Sequence, residues 1–219
     1  MDADALSPVA QDYLKVIWSA VEWGDAPITT TGLAERFGTS RANVSDVMRR
    51  LQAQGLVEYQ PYHPVTLTPT GERLAVAMVR RHRLIEQFLA EVLHYGWDEV
   101  HDDAERLEHA VSPRFLASID ALLGHPTTDP HGDPIPTREG RWHVPDETLI
   151  LSEAEPGTYR VIRVSDADPD ALARLRVAGL RPGATVVVGS SAVDVIDATG
   201  RPAVVVPGDG AMVRVRPTS

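Results

Sequence analysis

The feature that most constrains this chain is the order of caps, stops and short runs in ITTTGLAERFGTSRANVSDVMRRLQAQGLVEYQPYHPVTLTPTGERLA, residues 28–75. Thr29 to Thr31 offer N-caps for a short helix that ends at Gly38, where the left-handed position favours glycine. Thr39 or Ser40 then caps a second helix that ends at Gly55. Two helices joined by so tight a turn form a helix-turn-helix. Leu56 to Tyr59 and Val65 to Thr68 follow as β-rich runs around the turn Pro61-Tyr62-His63-Pro64, the pattern of a wing.

The flanks extend this reading. Residues 8–22 place Val9, Tyr13, Val16, Ile17, Ala20 and Val21 at helical spacing. Pro69 suits the first turn of a long helix to about Leu93, and Trp97–Ala110 and Pro113–Leu123 read as two more. His125 to Glu147 is rich in Pro, Gly, Asp and Thr and reads as an extended connection. Beyond it, short Val-rich runs (Tyr159–Val164, Ala184–Val188, Ala192–Ile196, Ala203–Val206, Met212–Val215) and one helical pattern, Pro169–Val177, predict a small barrel-like β domain. The fold class is therefore mainly α plus a small β domain. The expected divisions are a winged helix-turn-helix over 1–73, a helical domain over 74–140, a linker over 141–147 and the β domain over 148–219.

Net charge is −10, which at first argues against a nucleic-acid partner. The charge is unevenly placed: residues 30–83 hold eight arginines against four acids, while 1–29 carry net −4 and the remaining 136 residues net −10. The one basic stretch coincides with the helix-turn-helix. No cysteine is present, which excludes disulfides, thiolate metal sites, iron–sulfur clusters and cysteine nucleophiles. No apolar run reaches the ~18 residues of a membrane span, and the N-terminus lacks a signal-peptide pattern, so a cytoplasmic location with no membrane partner is expected.

Two constellations carry chemistry. A recognition helix presents its first turns to base edges in the major groove, which selects Thr39, Ser40, Arg41, Ala42, Asn43, Ser45 and Asp46; Arg suits guanine and Asn adenine. Arg49, Arg50 and the wing residues Tyr62 and His63 are placed for phosphates. A helix-turn-helix used only for packing is the alternative, and it leaves the basic stretch unexplained. The second constellation is HDDAERLEH, in which His101, Glu105, Glu108 and His109 fall on one side of a helix. His82 and Glu86 form an i, i+4 pair on the preceding long helix. One such pair is more often a polar surface; six imidazoles and carboxylates on adjacent helices are metal-ligand chemistry. The spacing is not that of a His-Glu-x-x-His protease.

With His-Arg-Leu-x-Glu, Val-His-Asp-x-Ala-x-x-x-Glu-His, the Pro-rich DPHGDPIP and the terminal β domain, the chain resembles the DtxR/MntR family of metal-dependent transcriptional repressors, nearest to its manganese-responsive members with a C-terminal SH3-like (FeoA-like) domain. The resemblance implies a repressor rather than an enzyme. It further implies a homodimer formed by the middle helices, a palindromic double-stranded operator as target and control of metal-homeostasis genes, with no small organic substrate. It implies a primary metal site of Asp12, Glu105, Glu108 and His109, and an ancillary site of His82, Glu86 and His101 completed by Asp168. Where iron-type members have Met and Cys, this chain has Asp12 and Glu105; hard oxygen donors suit Mn²⁺, with Co²⁺ or Zn²⁺ as substitutes in vitro. Fe²⁺ accepts the same donors, so an iron-dependent repressor is the alternative. Lys15 stands where short two-domain manganese members have a second Glu, which implies no binuclear cluster, and Ala171 stands at a Gln position of the family. A metal-dependent hydrolase would need a nucleophile motif or phosphate loop that the sequence lacks. A metal storage protein would leave the wing and Arg41/Asn43 unused.

Overall fold

The structure, a computed structural model, describes residues 3–23, 26–61, 63–143, 148–189, 193–196, 205–206 and 208–218. Its Cα packing divides the chain into two compact units, one of residues 1–82 with 136–141 and one of 83–135 with 142–219.

In the first unit, α1 (Pro8–Glu22) is capped by the Ser7 hydroxyl, α2 (Thr30–Arg36) by Thr29, and α3 (Arg41–Ala53) by Ser40. Gly38 and Gly55 follow α2 and α3 with φ of +57° and +70°, the left-handed stops that the sequence predicts. The strands β1 (Val57–Glu58) and β2 (Thr66–Leu67) pair antiparallel, and α4 (Pro69–Glu91) begins at once. The Thr68 hydroxyl caps α4 by accepting from the Gly71 amide at 3.1 Å. Leu14, Leu33, Met48, Leu51 and Leu56 are completely buried at the centre of this unit, and the rings of Tyr13 and Phe37 stack at 4.1 Å. Burial of that apolar face, rather than helix propensity, stabilises helices as short as α2.

In the second unit, α4 from Arg83 onward packs with α5 (His101–Glu108) and α6 (Pro113–Leu122) through Ile85, Leu89, Val100 and Ala104 on one side and Leu84, Ile119 and Ile135 on another. The strands β3 (Leu149–Ile150), β4 (Gly157–Val164), β5 (Thr185–Val188), β6 (Val193–Ile196) and β7 (Val213–Pro217) form an antiparallel sheet in the order β3-β7-β4-β5-β6. Along β4, Tyr159 and Val161 turn inward while Thr158 and Arg160 turn outward, the period-two pattern of a half-buried strand. α7 (Pro169–Val177) adds Leu172 and Leu175 to the core of this sheet.

One element departs from its sequence reading. The helix expected from Trp97 begins four residues later, at His101. Trp97 packs instead against the apolar core of the sheet, which holds residues 97–100 in a turn ahead of α5. Part of the run expected over Ala203–Val206 lies outside the described residues.

Candidate metal centre and nucleic-acid interface

α5 brings its four candidate ligands to the second unit as the spacing requires. Glu108 is completely buried and lies 3.6 Å from His109 Nε2, while His101 and Glu105 approach to 3.7 Å. Facing α5, Glu86 of α4 is 1% exposed, and its Oε1 is 3.4 Å from His101 Nδ1. The first unit holds Asp12, half-buried on α1, and His82, buried on α4 with its Nδ1 3.4 Å from the Lys15 ammonium nitrogen.

The carboxylate that reaches His101 is Asp166, whose Oδ2 is 3.2 Å from Nδ1. Asp168 instead caps α7, accepting from the amides of Asp170 and Ala171, and is exposed. The assignment of Asp168 to the ancillary site is corrected accordingly: capping turns its carboxylate onto its own helix, and the residue two places earlier reaches the imidazole. His131 and Asp129 are further additions, from the stretch read as an extended connection. His131 is 1% exposed, with Nδ1 3.8 Å from Glu86 Oε2 and its ring 5.8 Å from that of Trp97. Donor atoms of Glu86, His101 and Asp166 lie within 4.8 Å of one another, as do those of Glu86, Asp129 and His131, so Glu86 is common to both groups. The sequence signals for these additions are a His between two Asp in DPHGDP and three alternating Asp in DADPD. Neither pattern says which carboxylate turns inward.

The electrostatics favour a cation here. Burial opposes a charged ring at His101, yet the Asp166 and Glu86 carboxylates beside its Nδ1 outweigh it and its pKa is pushed up to about 10. His131 is likewise pushed up to about 10, burial being overcome by Glu86 and then by Asp129 and Asp166. Burial would raise Asp166, but its bond to His101 and the charge of His131 hold it well below the usual carboxylate range. Burial and the Asp133 carboxylate push Asp129 upward. Protons on two imidazoles thus offset a surplus of buried carboxylate, and a divalent cation can replace them in that role. His131 Nε2 is buried without a hydrogen-bond partner among the described residues, as a nitrogen kept for a ligand would be. The donors are oxygen and imidazole nitrogen, fit for a hard or borderline divalent ion.

On the DNA side, Arg41, Ala42, Asn43, Asp46, Arg49 and Arg50 are exposed along α3, and His63 is exposed between β1 and β2. The Ser40 hydroxyl is engaged in its cap, and Asn43 donates to the Thr39 hydroxyl at 2.9 Å. Ser45 accepts from Tyr59 at 3.1 Å, which ties the recognition helix to the residue that follows the first wing strand. Arg49 pairs with Asp46 on the exposed surface. Tyr62 lies outside the described residues.

Three family models match successive parts of the chain: the iron-dependent repressor N-terminal DNA-binding domain over 5–65, the iron-dependent repressor metal-binding and dimerisation domain over 68–137, and the FeoA domain over 150–196. Among curated proteins, the iron-dependent repressor IdeR of Mycobacterium tuberculosis H37Rv is 34% identical over 188 residues, 80% of this chain and 81% of that protein. Among solved structures, a manganese-dependent transcriptional repressor in complex with manganese is 43% identical with a TM-score of 0.88, covering 95% of this chain and all of that one. The manganese regulator SloR is 30% identical with a TM-score of 0.77, covering 97% of this chain and 100% of that one.

Proposed function

Because the chain belongs to the DtxR family of metal-dependent transcriptional repressors, DNA-binding proteins and not enzymes, we propose that manganese is its corepressor and a palindromic operator its target. The observation that carries the choice of metal is the donor set: among the candidate ligands every group is a carboxylate or an imidazole, and the chain has no cysteine. Thiolate and thioether ligands favour softer ions, whereas oxygen donors suit Mn²⁺. The likeness to a repressor solved with manganese supports the same reading.

In this reading Asp12, Glu105, Glu108 and His109 are the primary ligands. His82, Glu86, His101 and Asp166 form the ancillary set, with His131 and Asp129 gathered about the same Glu86. His82 lies one helical turn before Glu86 on α4 and stays in this set as the sequence assigns it. A bound divalent ion supplies positive charge that carboxylates on two parts of the chain share. Asp12 lies on the helix that precedes the reading head, and its partners lie on the metal-binding and dimerisation helices. Ligands held in common restrict the orientations open to the reading head and favour those in which the two recognition helices of a dimer fit successive major grooves, about 34 Å apart.

Fluorescence-anisotropy titration of palindromic DNA with Mn²⁺, Fe²⁺ (anaerobic), Co²⁺ and Zn²⁺ in parallel tests this. The expected result is the strongest activation by Mn²⁺ at cellular concentrations, with the response lost in Asp12→Ala and Glu105→Ala while circular dichroism shows an intact fold. Stronger activation by Fe²⁺ would replace manganese with iron, the reading favoured by the similarity to IdeR.

A further inference from the structure

Four buried ionisable side chains alternate beside the ancillary ligands: Asp129, Arg83, Asp133 and Arg163, each no more than 6% exposed. Arg163, on β4, donates through Nε to Asp133 Oδ1. Arg83, on α4, donates to Asp133 Oδ2 at 3.2 Å and to the Pro134 carbonyl at 2.8 Å, and its Nε is 3.4 Å from Asp129 Oδ2. Asp129 closes the turn by accepting from the amides of His131 and Asp133, each at 2.9 Å. The backbone locks the turn to the sheet as well. Val164 donates to the His131 carbonyl at 2.9 Å, and a Cβ on Gly132 would fall 2.0 Å from the Ile162 carbonyl oxygen.

Buried ion pairs contribute little net stability compared with apolar packing, but they impose geometry, because each guanidinium satisfies its carboxylates in few orientations. Here the residue so oriented is His131, whose ring is directed at Glu86 and whose Nε2 has no hydrogen-bond partner among the described residues. Arg163 lies three residues before Asp166, so the end of one strand supplies both the clamp on the 129–133 turn and a carboxylate of the centre.

We propose that Arg163 is a positioning residue for the ancillary metal centre: through Asp133 it holds the turn that aims His131 at Glu86, and so makes metal binding there depend on the C-terminal sheet being docked on that turn. The proposal rests on the ancillary reading above. It predicts that metal affinity at that centre changes when no ligand has been touched.

The test is Mn²⁺ binding to the full chain, followed by the EPR signal of free Mn²⁺, together with the visible spectrum of bound Co²⁺. Arg163→Gln is expected to weaken binding of the second ion roughly tenfold to a hundredfold, the range over which outer partners tune metal sites, and to shift the Co²⁺ bands, with the first ion unaffected. Arg163→Lys should restore part of the affinity, since a single ammonium reaches Asp133 without the guanidinium fork. His131→Ala is the ligand control and should remove the second ion. If His131→Ala leaves the stoichiometry unchanged, the ancillary reading fails and the proposal with it. If His131→Ala loses an ion while Arg163→Gln lowers only the melting temperature and keeps wild-type affinity and spectrum, the role of Arg163 alone is overturned. Should Arg163→Gln not fold, Asp133→Asn carries the same expectations.

Discussion

Arg174 grips Asp209 with two hydrogen bonds, Nε to Oδ2 at 2.9 Å and Nη2 to Oδ1 at 2.8 Å, and this pair shows how a single ion pair sets a pH response. The bond to Arg174 lowers the Asp209 pKa below its ordinary 3.8, against the opposing effect of burial. A depressed carboxylate pKa adds stability above the unfolded value and loses it as pH falls through the folded value. Calorimetry should therefore find Asp209→Asn less stable than the parent protein at pH 7, with the gap closing below about pH 3.8; a gap that persists in acid would assign the loss to shape rather than charge. At this scale the proposed metal ligands are only partly legible in the sequence. Helical spacing is enough to select His82, Glu86, His101, Glu105, Glu108 and His109, because side chains at i and i+4 share a face. It cannot choose between Asp166 and Asp168, since the choice depends on which of them the start of α7 uses as its cap.

Among the elements, the join between the wing and α4 is the tightest. A Cβ on Gly71 would lie 1.9 Å from the Leu56 carbonyl oxygen, so the first turn of α4 approaches the chain ahead of β1 through a position with no side chain. Neither partner is a flexible side-chain end that could swing away. Gly71→Ala is expected to destabilise the first unit by about 1–3 kcal/mol as an overpacking change, measurable by urea denaturation, with the wing displaced from α3 and operator affinity reduced. A loss below that range would mean that α4 shifts at little cost. The helices α1, α2, α3, α6 and α7 match their sequence readings closely because the Ser, Thr or Asp cap of each lies within one turn of it, as do the glycines that end α2 and α3. The start of α5 differs from its sequence reading because Trp97 continues the helical pattern while its ring is drawn to the sheet core.

Across the whole molecule, charge is distributed by task. The exposed arginines of α3 belong to the one stretch of net positive charge, residues 30–83, in an otherwise acidic chain. Binding through phosphates releases counterions, so log affinity falls linearly with log salt by about 0.9 per phosphate neutralised. Arg50→Ala should weaken binding to operator and to unrelated DNA alike, and flatten that slope by about one for each phosphate it no longer neutralises; an effect confined to the operator would make Arg50 a base reader. The sequence by itself determined the reading head, the helical metal-binding stretch, the small β domain and the absence of thiolate ligands. These follow from periodicity, caps and composition, whose interactions span a few residues. Only the tertiary structure decided that Asp129, His131 and Asp166 gather around Glu86, and that Arg83 and Arg163 meet at Asp133 from 50 and 30 residues away. Such pairings depend on how helix and sheet pack, and a buried charge finds its partner only when the packing brings the two together.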